Sequence, residues 1–357
     1  MYLCRYGTAF GRGVRTPTHG RVRTANADTH VTTKVKMIKK QILIAIFTLA
    51  ACAAQAQQYP QRPVRVIVNV AAGGGVDIVA RIVAQHMSSA FGHTFVVDNR
   101  TGAGGAIGTE LAAKAAPDGY TLMVSSNTAI TTAAVRSNAS QGYDPVRDFQ
   151  TVSKLTSNPY IICVTPNLPV ANIAELIAMA RTKAGGISYG SAGNGSILHM
   201  TAALLAIMAN TPMVHVPYKG VSEVYPAVVS GQVNWVAGAP ISALPFIKSG
   251  RLKGIAVTSA TRARAAPDLP PVADALPGYE VIAWFGMFAP TGTPMAIVNR
   301  LQAEAKRALQ APEVTRRMDA EGTDAVGGTP QQFATEVKAE FEKWRGLARK
   351  LGLDRQG

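Results

Sequence analysis

Two glycine-rich stretches hold the residue types best suited to chemistry in this sequence. The first, Ala71-Ala72-Gly73-Gly74-Gly75-Val76-Asp77, follows the β-branched run Val64–Val70. It precedes Ile78, Val79, Ile82, Val83 and Met87, which recur at helical spacing. A loop of this kind, joining a strand to a helix start, presents backbone N–H groups, and the helix dipole adds partial positive charge. The chemistry it suits is the holding of an anion, because glycine lets the main chain come close to a ligand. Asp77 falls in the first helical turn, where the dipole favours a carboxylate. The second stretch, Ser191-Ala192-Gly193-Asn194-Gly195-Ser196, follows a strand at Ile187–Tyr189 and leads into a helix over 197–209. It adds hydroxyl and amide groups. Either stretch alone also reads as a tight turn. Two of them, each at a strand C-terminus, point to a ligand lying beyond those ends. Ser126 and Asn127, just past a strand at Thr121–Ser125, are placed to add side-chain bonds.

Other motifs fare less well. Gly102-Ala103-Gly104-Gly105-Ala106-Ile107-Gly108 resembles a dinucleotide fingerprint, but no acid stands about 20 residues downstream, where Thr121–Ser125 runs. It reads as a structural glycine loop. Gly186-Ile187-Ser188-Tyr189-Gly190 fits the hydrolase pattern G-x-S-x-G, which requires the order Ser, acid, His. No Asp or Glu lies between Ser188 and His215, and Ser188 falls inside a strand. His86, His93, His199 and His215 form no H-E-x-x-H and adjoin no cysteine pair, so neither metal nor cofactor is expected. His199, on the first turn after the second loop, reads equally as a cleft residue or a packed one. Tyr218-Lys219, at the end of a strand, reads either as a surface pair or as a ring and a cation beside an anion.

Strands alternating with helices must position these groups. The pattern continues through Phe95–Val97, a helix at Leu111–Ala116, and strands at Met213–Val216, Val233–Val236 and Ile255–Val257. It predicts parallel α/β sheets. Only helices are expected after Pro294, over Ile297–Leu309, Glu313–Ala320 and Phe333–Leu351. A length of 357 residues suggests about two domains. With 47% hydrophobic residues the chain can bury a sizeable core. The net charge of +15 is uneven: residues 1–36 hold seven basic residues and one acidic, and 37–56 add two lysines. The remainder carries +7, and no basic stripe with aromatics appears, so no nucleic-acid partner is expected.

Met37-Ile38-Lys39-Lys40, the apolar run Ile42–Ala51 and Ala54-Gln55-Ala56 form a secretory signal over 37–56. Residues 1–36 then read as an extension from a start codon assigned too early. Leu49-Ala50-Ala51-Cys52 offers a competing lipoprotein box, with lipidation at Cys52. Both readings give an exported, periplasmic protein. In the folded part Cys163 alone remains, in the apolar run Tyr160–Val164, and it is expected to be buried.

The chain resembles the Bug family of solute receptors, extracytoplasmic binding proteins associated with tripartite tricarboxylate transporters. The matching stretches include Tyr59-Pro60-Gln61-Arg62-Pro63, Gly73-Gly74-Gly75 with Asp77, Pro117-Asp118-Gly119-Tyr120 and Tyr143-Asp144-Pro145. They continue with Ser191–Gly195, His215-Val216-Pro217-Tyr218-Lys219-Gly220, Trp284-Phe285-Gly286 and Gly327-Gly328-Thr329-Pro330. The resemblance implies a type II periplasmic-binding-protein fold: two α/β lobes with a ligand cleft between them and a helical C-terminus. It implies a first lobe of 57–157 plus 283–357 and a second of 158–282. It also implies a non-enzymatic receptor that grips a small carboxylate and delivers it to a membrane permease or a sensor protein. The family's Thr before the Asp is Val76 here, and the Asp that receives an amino group in some members is replaced by Gly238. A less polar acid than an amino acid is therefore expected.

The expected ligand residues are Ala72–Asp77, Ser126, Asn127, Ser191–Ser196, His199, Tyr218, Lys219 and Gly238. A monomer is expected. The alternatives are an exported hydrolase on the same scaffold and a ligand sensor for a signalling partner.

Overall fold

The structure is a computed structural model that describes residues 59–136, 142–182, 186–320, 322–350 and 352–353. The signal over 37–56 and Cys52 lie outside the described residues. In chain order the elements begin with β1 (Val64–Val68), α1 (Gly75–Phe91), β2 (Phe95–Asn99), α2 (Ala106–Ala113), β3 (Thr121–Ser126) and α3 (Thr128–Ala134). Then come β4 (Phe149–Pro159), β5 (Ile161–Val164), α4 (Ile173–Thr182), β6 (Ile187–Ser191), α5 (Ile197–Met208), β7 (Met213–Pro217) and α6 (Val221–Val229). The last are β8 (Trp235–Gly238), α7 (Pro240–Lys248), β9 (Lys253–Val257), β10 (Ile282–Pro290), α8 (Met295–Gln310), α9 (Pro312–Ala320), β11 (Asp324–Ala325) and α10 (Pro330–Lys350).

The first unit shows how sequence becomes element. Val64, Val66, Ile67 and Val68 of β1 are all buried, as a central strand covered on both faces requires. Arg65 turns outward to an ion pair with Asp98 of β2. In α1 the buried Val76, Val79, Ala80, Val83 and Met87 form one apolar stripe. The helix stops at Gly92, whose left-handed backbone (φ 70°) lets its amide reach the Ser88 carbonyl.

The strands form two sheets, one ordered β11-β4-β10-β3-β1-β2 and the other β7-β6-β8-β5-β9. Each has a parallel trio, β2-β1-β3 and β7-β6-β8. The sheets are mixed rather than parallel throughout, because β10 runs antiparallel between β3 and β4, and β5 antiparallel between β8 and β9. The chain passes from the first sheet to the second at Tyr160 and returns between β9 and β10. Thr258 ties the two crossings together. Its hydroxyl accepts from the Tyr160 amide (2.8 Å) and donates to the Val281 carbonyl (2.6 Å). Its own amide donates to the Tyr160 carbonyl at 2.9 Å.

Several boundaries differ from the sequence reading. Helix α2 covers 106–113 rather than 111–116, because Gly108 packs so closely on the Arg100 carbonyl and Asn69 that a residue with no side chain is needed there. The strand expected at 233–236 is β8 at 235–238, since the Asn234 side chain takes the Ser188 amide in place of a ladder bond. Strands β4 and β10 have no simple alternation. Thr151 and Ser153 of β4 are buried but donate to the Pro330 and Gly328 carbonyls, so polar residues sit inside without loss. The C-terminal stretch is helical apart from β11, which pairs with β4.

Helices α8 and α10 cover β4. Phe333 of α10 meets Trp284 edge-on at 5.0 Å and Phe288 at 5.1 Å, over a Gly286 that leaves room for its ring. Replacing Phe333 with Ala should cost about 3–5 kcal/mol of unfolding free energy, read as a lowered urea midpoint. An unchanged midpoint would show that this aromatic cluster does not hold the C-terminal helix.

Candidate functional site

In each sheet the chain moves to one side of the first strand and then to the other, so a topological switch point lies between β1 and β3, and between β6 and β8. The helices that leave these strands begin at the same ends. Across the gap α1 packs on α7, and α3 on α5. Between them lies a cleft bounded by Val70, Ala71, Gly74–Val76, Ser126, Thr128 and Phe285 from the first sheet's side. Ala192, Leu198, Val221, Ala239 and Ser242 close it from the second, and Tyr160 lines it at the crossing. Its interior is only about 40 Å³, space for about three waters.

The lining contains no Asp, Glu, Lys, Arg or His. What it offers is hydrogen-bond donors. The amides of Gly75, Val76 and Asp77 lie in the first turn of α1, where no intrahelical acceptor exists. The Ser126 hydroxyl accepts from the Thr128 amide at 3.2 Å, which leaves its own proton free. Thr128 accepts from the Ile197 amide across the gap at 3.3 Å. Tyr160 is 2% exposed, and its hydroxyl finds no partner among the described residues. Burial raises this phenol above its ordinary range, so it remains a donor. Apart from Ser242, whose hydroxyl is engaged with Tyr225 and the Ala239 carbonyl, the remaining side chains of the lining are aliphatic or aromatic. Chemically, such a pocket suits a small body carrying oxygen acceptors.

The rims around the cleft touch. Gly193 has φ 106°, and an added Cβ there would lie 2.9 Å from the Gly104 Cα. A Cβ on Gly220 would lie 2.6 Å from that of Ala71. The run Gly102–Gly105, read from sequence as a structural loop, thus forms the surface on which the second glycine loop rests.

The structure brings some of the expected residues into the cleft and gives others different partners. Gly74, Gly75, Val76, Ser126 and Ala192 line it. Ala72 and Gly73 are exposed at its edge. Asp77 faces its own loop: its carboxylate accepts from the Gly73 amide (2.9 Å), Arg81 (3.0 Å) and Asn99 (3.0 Å). Burial by itself would raise its pKa, but the Arg81, Gly73 and Asn99 bonds outweigh that and hold the carboxyl below its usual range. Asn127 turns away from the lining, donating to Glu340 and to the Ile282 carbonyl and accepting from the Trp284 amide.

On the second sheet's side, Ser191 contacts the His215 ring at 2.6 Å and accepts from the Gly193 amide. Ser196 caps α5 and donates to the Gly193 carbonyl at 2.7 Å. Asn194, Tyr218 and Lys219 border a neighbouring groove with Gly102–Gly104 and Gly193. His199 and Gly195 border another groove, with Arg136 and His215. Gly238 is buried under Tyr225, whose hydroxyl would lie 2.6 Å from any Cβ there.

Sequence reasoning missed Tyr160, Thr128, Leu198, Val221, Ala239, Ser242 and Phe285. Thr128, Val221 and Ala239 all stand at helix starts that follow strands. The rule that selected the two glycine loops, applied to every strand–helix junction, would have found them. No comparable signal marked Tyr160.

Cys163 is fully buried, and burial pushes its thiol up to about 12. Among the described residues no group of three or more His, Cys, Asp or Glu is placed to hold a metal ion. No helix among them is long and apolar enough to cross a membrane.

His199 and His215 stack at 4.0 Å with nearly parallel rings, and Tyr189 stacks on both. Burial pushes both imidazoles down to about 4, and for His215 the neighbouring His199 adds to the effect. The unfolded chain therefore takes up these protons first, near pH 6.5. Stability from the neutral pair is complete above about pH 6.5 and is lost as pH falls toward about 4. Replacing both histidines with Gln should flatten the melting temperature between pH 6.5 and 4. An equally steep slope in the double variant would assign the acid sensitivity to other groups.

The model of the family described as "Tripartite tricarboxylate transporter family receptor" matches residues 79–353. A protein from the tcbD-tcbE intergenic region of Pseudomonas sp. strain P51 is 36% identical over 308 residues, 86% of this chain and 91% of that protein. Protein BugT of Bordetella pertussis is 32% identical over 326 residues, 89% of this chain and 99% of its own length. Among solved structures, the periplasmic binding protein BugD superposes with a TM-score of 0.77 at 33% identity, covering 83% of this chain and 99% of BugD. Rpa4515 of R. palustris, solved with adipate, gives 0.76 at 33% identity over 82% of this chain and 98% of that one. MatC of Rhodopseudomonas palustris, solved with bound malate, gives 0.75 at 31% identity over 81% of this chain and all of that one (100%). The two-sheet architecture is thus a periplasmic-binding-protein fold. The chain belongs to the tripartite tricarboxylate transporter receptor family, which consists of solute-binding receptors and not of enzymes.

Proposed function

We propose that this protein captures a small carboxylate in the cleft between its two sheets and delivers it to the membrane permease of a tripartite tricarboxylate-type transporter. The observation that carries this reading is a pocket lined by helix starts and free hydroxyls, with no charged side chain. A carboxylate supplies acceptors for those donors, and the α1 dipole favours its negative charge. Relatives solved with adipate and with malate support the same class of ligand.

The apolar walls and the absence of any lining carboxylate favour a plain organic acid over an amino acid, whose ammonium group would have no counter-charge there. In this reading residues 57–157 and 283–357 form one lobe and 158–282 the other. They rotate about the Tyr160–Thr258–Val281 stitch, and ligand shifts the population toward the closed form. Gly74 to Asp77 hold one end of the ligand through the backbone, with Ala72 and Gly73 at the edge, and Ser191 to Ser196 shape the opposite rim. Tyr218 and Lys219 border the entrance. The receptor acts as a monomer in the periplasm, released after Ala56 or anchored through Cys52.

The test is a thermal-shift screen of the mature protein against carboxylates of three to eight carbons, with neutral sugars alongside. An acid at a hundredfold its Kd should add about 2.7 kcal/mol of stability. Stabilisation by sugars and by no acid would refute the reading.

A further inference from the structure

Five buried side-chain polar atoms among the described residues lack a hydrogen-bond partner: Thr156 Oγ1, Asn158 Oδ1, Tyr160 Oη, Trp235 Nε1 and Trp344 Nε1. Of these residues only Tyr160 lines the cleft. Its main chain is fixed on both sides by Thr258, so the ring is held where the chain passes between the sheets. The hydroxyls of Ser242, which lines the cleft, and Tyr225 are already engaged. Tyr225 bonds Ser242 at 2.8 Å, and Ser242 donates onward to the Ala239 carbonyl at 3.1 Å. Phe285, Ala239 and Leu198 offer no acceptor from their side chains. The phenol is thus a buried donor on a residue that lines a largely apolar cleft, and no acceptor among the described residues takes its proton.

We propose that Tyr160 is a specificity-determining residue of the cleft, and that its hydroxyl donates to an oxygen of the bound organic acid. The inference rests on the carboxylate reading above and deepens it. An unsatisfied buried donor is costly, and in an opened cleft water satisfies it. Closure over an empty cleft, or over a purely hydrocarbon body, strands the hydroxyl. Closure over a ligand with an oxygen at that place does not. Tyr160 therefore makes closure conditional on a ligand with the right acceptor, and discriminates among acids by where their oxygens fall.

The test is Tyr160→Phe, which removes one oxygen and keeps the ring. Isothermal titration with the tightest-binding acid of the screen should show affinity weakened about 10- to 100-fold, the range for a hydrogen bond to a charged or strongly polar acceptor. The ligand-free melting temperature should stay level or rise, because an unsatisfied group has been removed from the interior. That combination separates a ligand-contacting hydroxyl from a merely structural one, whose loss would lower the melting temperature and leave affinity alone. Equal affinity in the two proteins, or a variant that fails to fold, would overturn the role of Tyr160 while leaving the carboxylate reading standing. If the unaltered protein binds no acid, the carboxylate reading fails first and this inference falls with it.

Discussion

A negative charge brought into a cleft without a cation must be held by oriented dipoles, and the rest of this architecture follows from that constraint. Removing a carboxylate from water costs several kcal/mol even after relaxation. A single helix N-terminus returns about 0.3–1 kcal/mol at a surface and up to about 2 in a partly buried setting. One helix start is therefore insufficient. The two sheets solve this by repetition. Each has a switch point, and helices leave each at the same end, so that α1 and α3 face α5 and α7 across one small space. In the proposed reading, hydrogen bonds from Ser126, Thr128 and Tyr160 to a charged acceptor, at about 1.5–3 kcal/mol each, supply the remainder. Binding then depends on backbone placed by the fold more than on any one side chain.

That dependence explains the care with which the loops are held. Asp77 is spent on its own loop, where Gly73, Arg81 and Asn99 fix it. Asn69 ties β1 to its neighbours by donating to Thr109 and accepting from Ser125. On the far side, Ser191 and Ser196 fold their loop around Gly193. Gly193, Gly104 and Gly220 let the two rims meet backbone to backbone, closer than side chains would permit. The glycines around the cleft divide into two groups. Gly74 and Gly75 face the ligand space, while Gly104, Gly193 and Gly220 allow the rims to come together.

Much of the fold was legible because strand and helix alternate cleanly where one face is buried. The stripe of α1 and the β-branched run of β1 needed no tertiary information. Strands β4 and β10 escaped because they are buried on both faces, with polar residues such as Thr151 and Ser153 facing inward onto backbone carbonyls, so their pattern has no period to detect. Mixed sheets were equally hidden, since strand direction depends on where the crossing segments run. The site was half legible. Glycine loops announce themselves, but Thr128, Val221 and Ala239 are ordinary residues made significant by lying at helix starts. Tyr160 is significant only because two sheets meet beside it. The expectations for Asp77 and Asn127 placed them by sequence proximity, whereas their side chains are directed by Arg81 and Asn99, and by Glu340 and the Trp284 amide.

The central claim is that charge, rather than shape alone, is what the cleft recognises, and that dipoles without a cation suffice to recognise it. The most direct measurement compares the affinity of the best-binding acid with that of its neutral carboxamide of the same shape, by isothermal titration at one ionic strength. Dipolar recognition of an anion predicts that the acid binds at least about 100-fold more tightly, since several charge-assisted bonds weaken together. Equal affinities would mean that the helix starts around this cleft do not act on the ligand's charge.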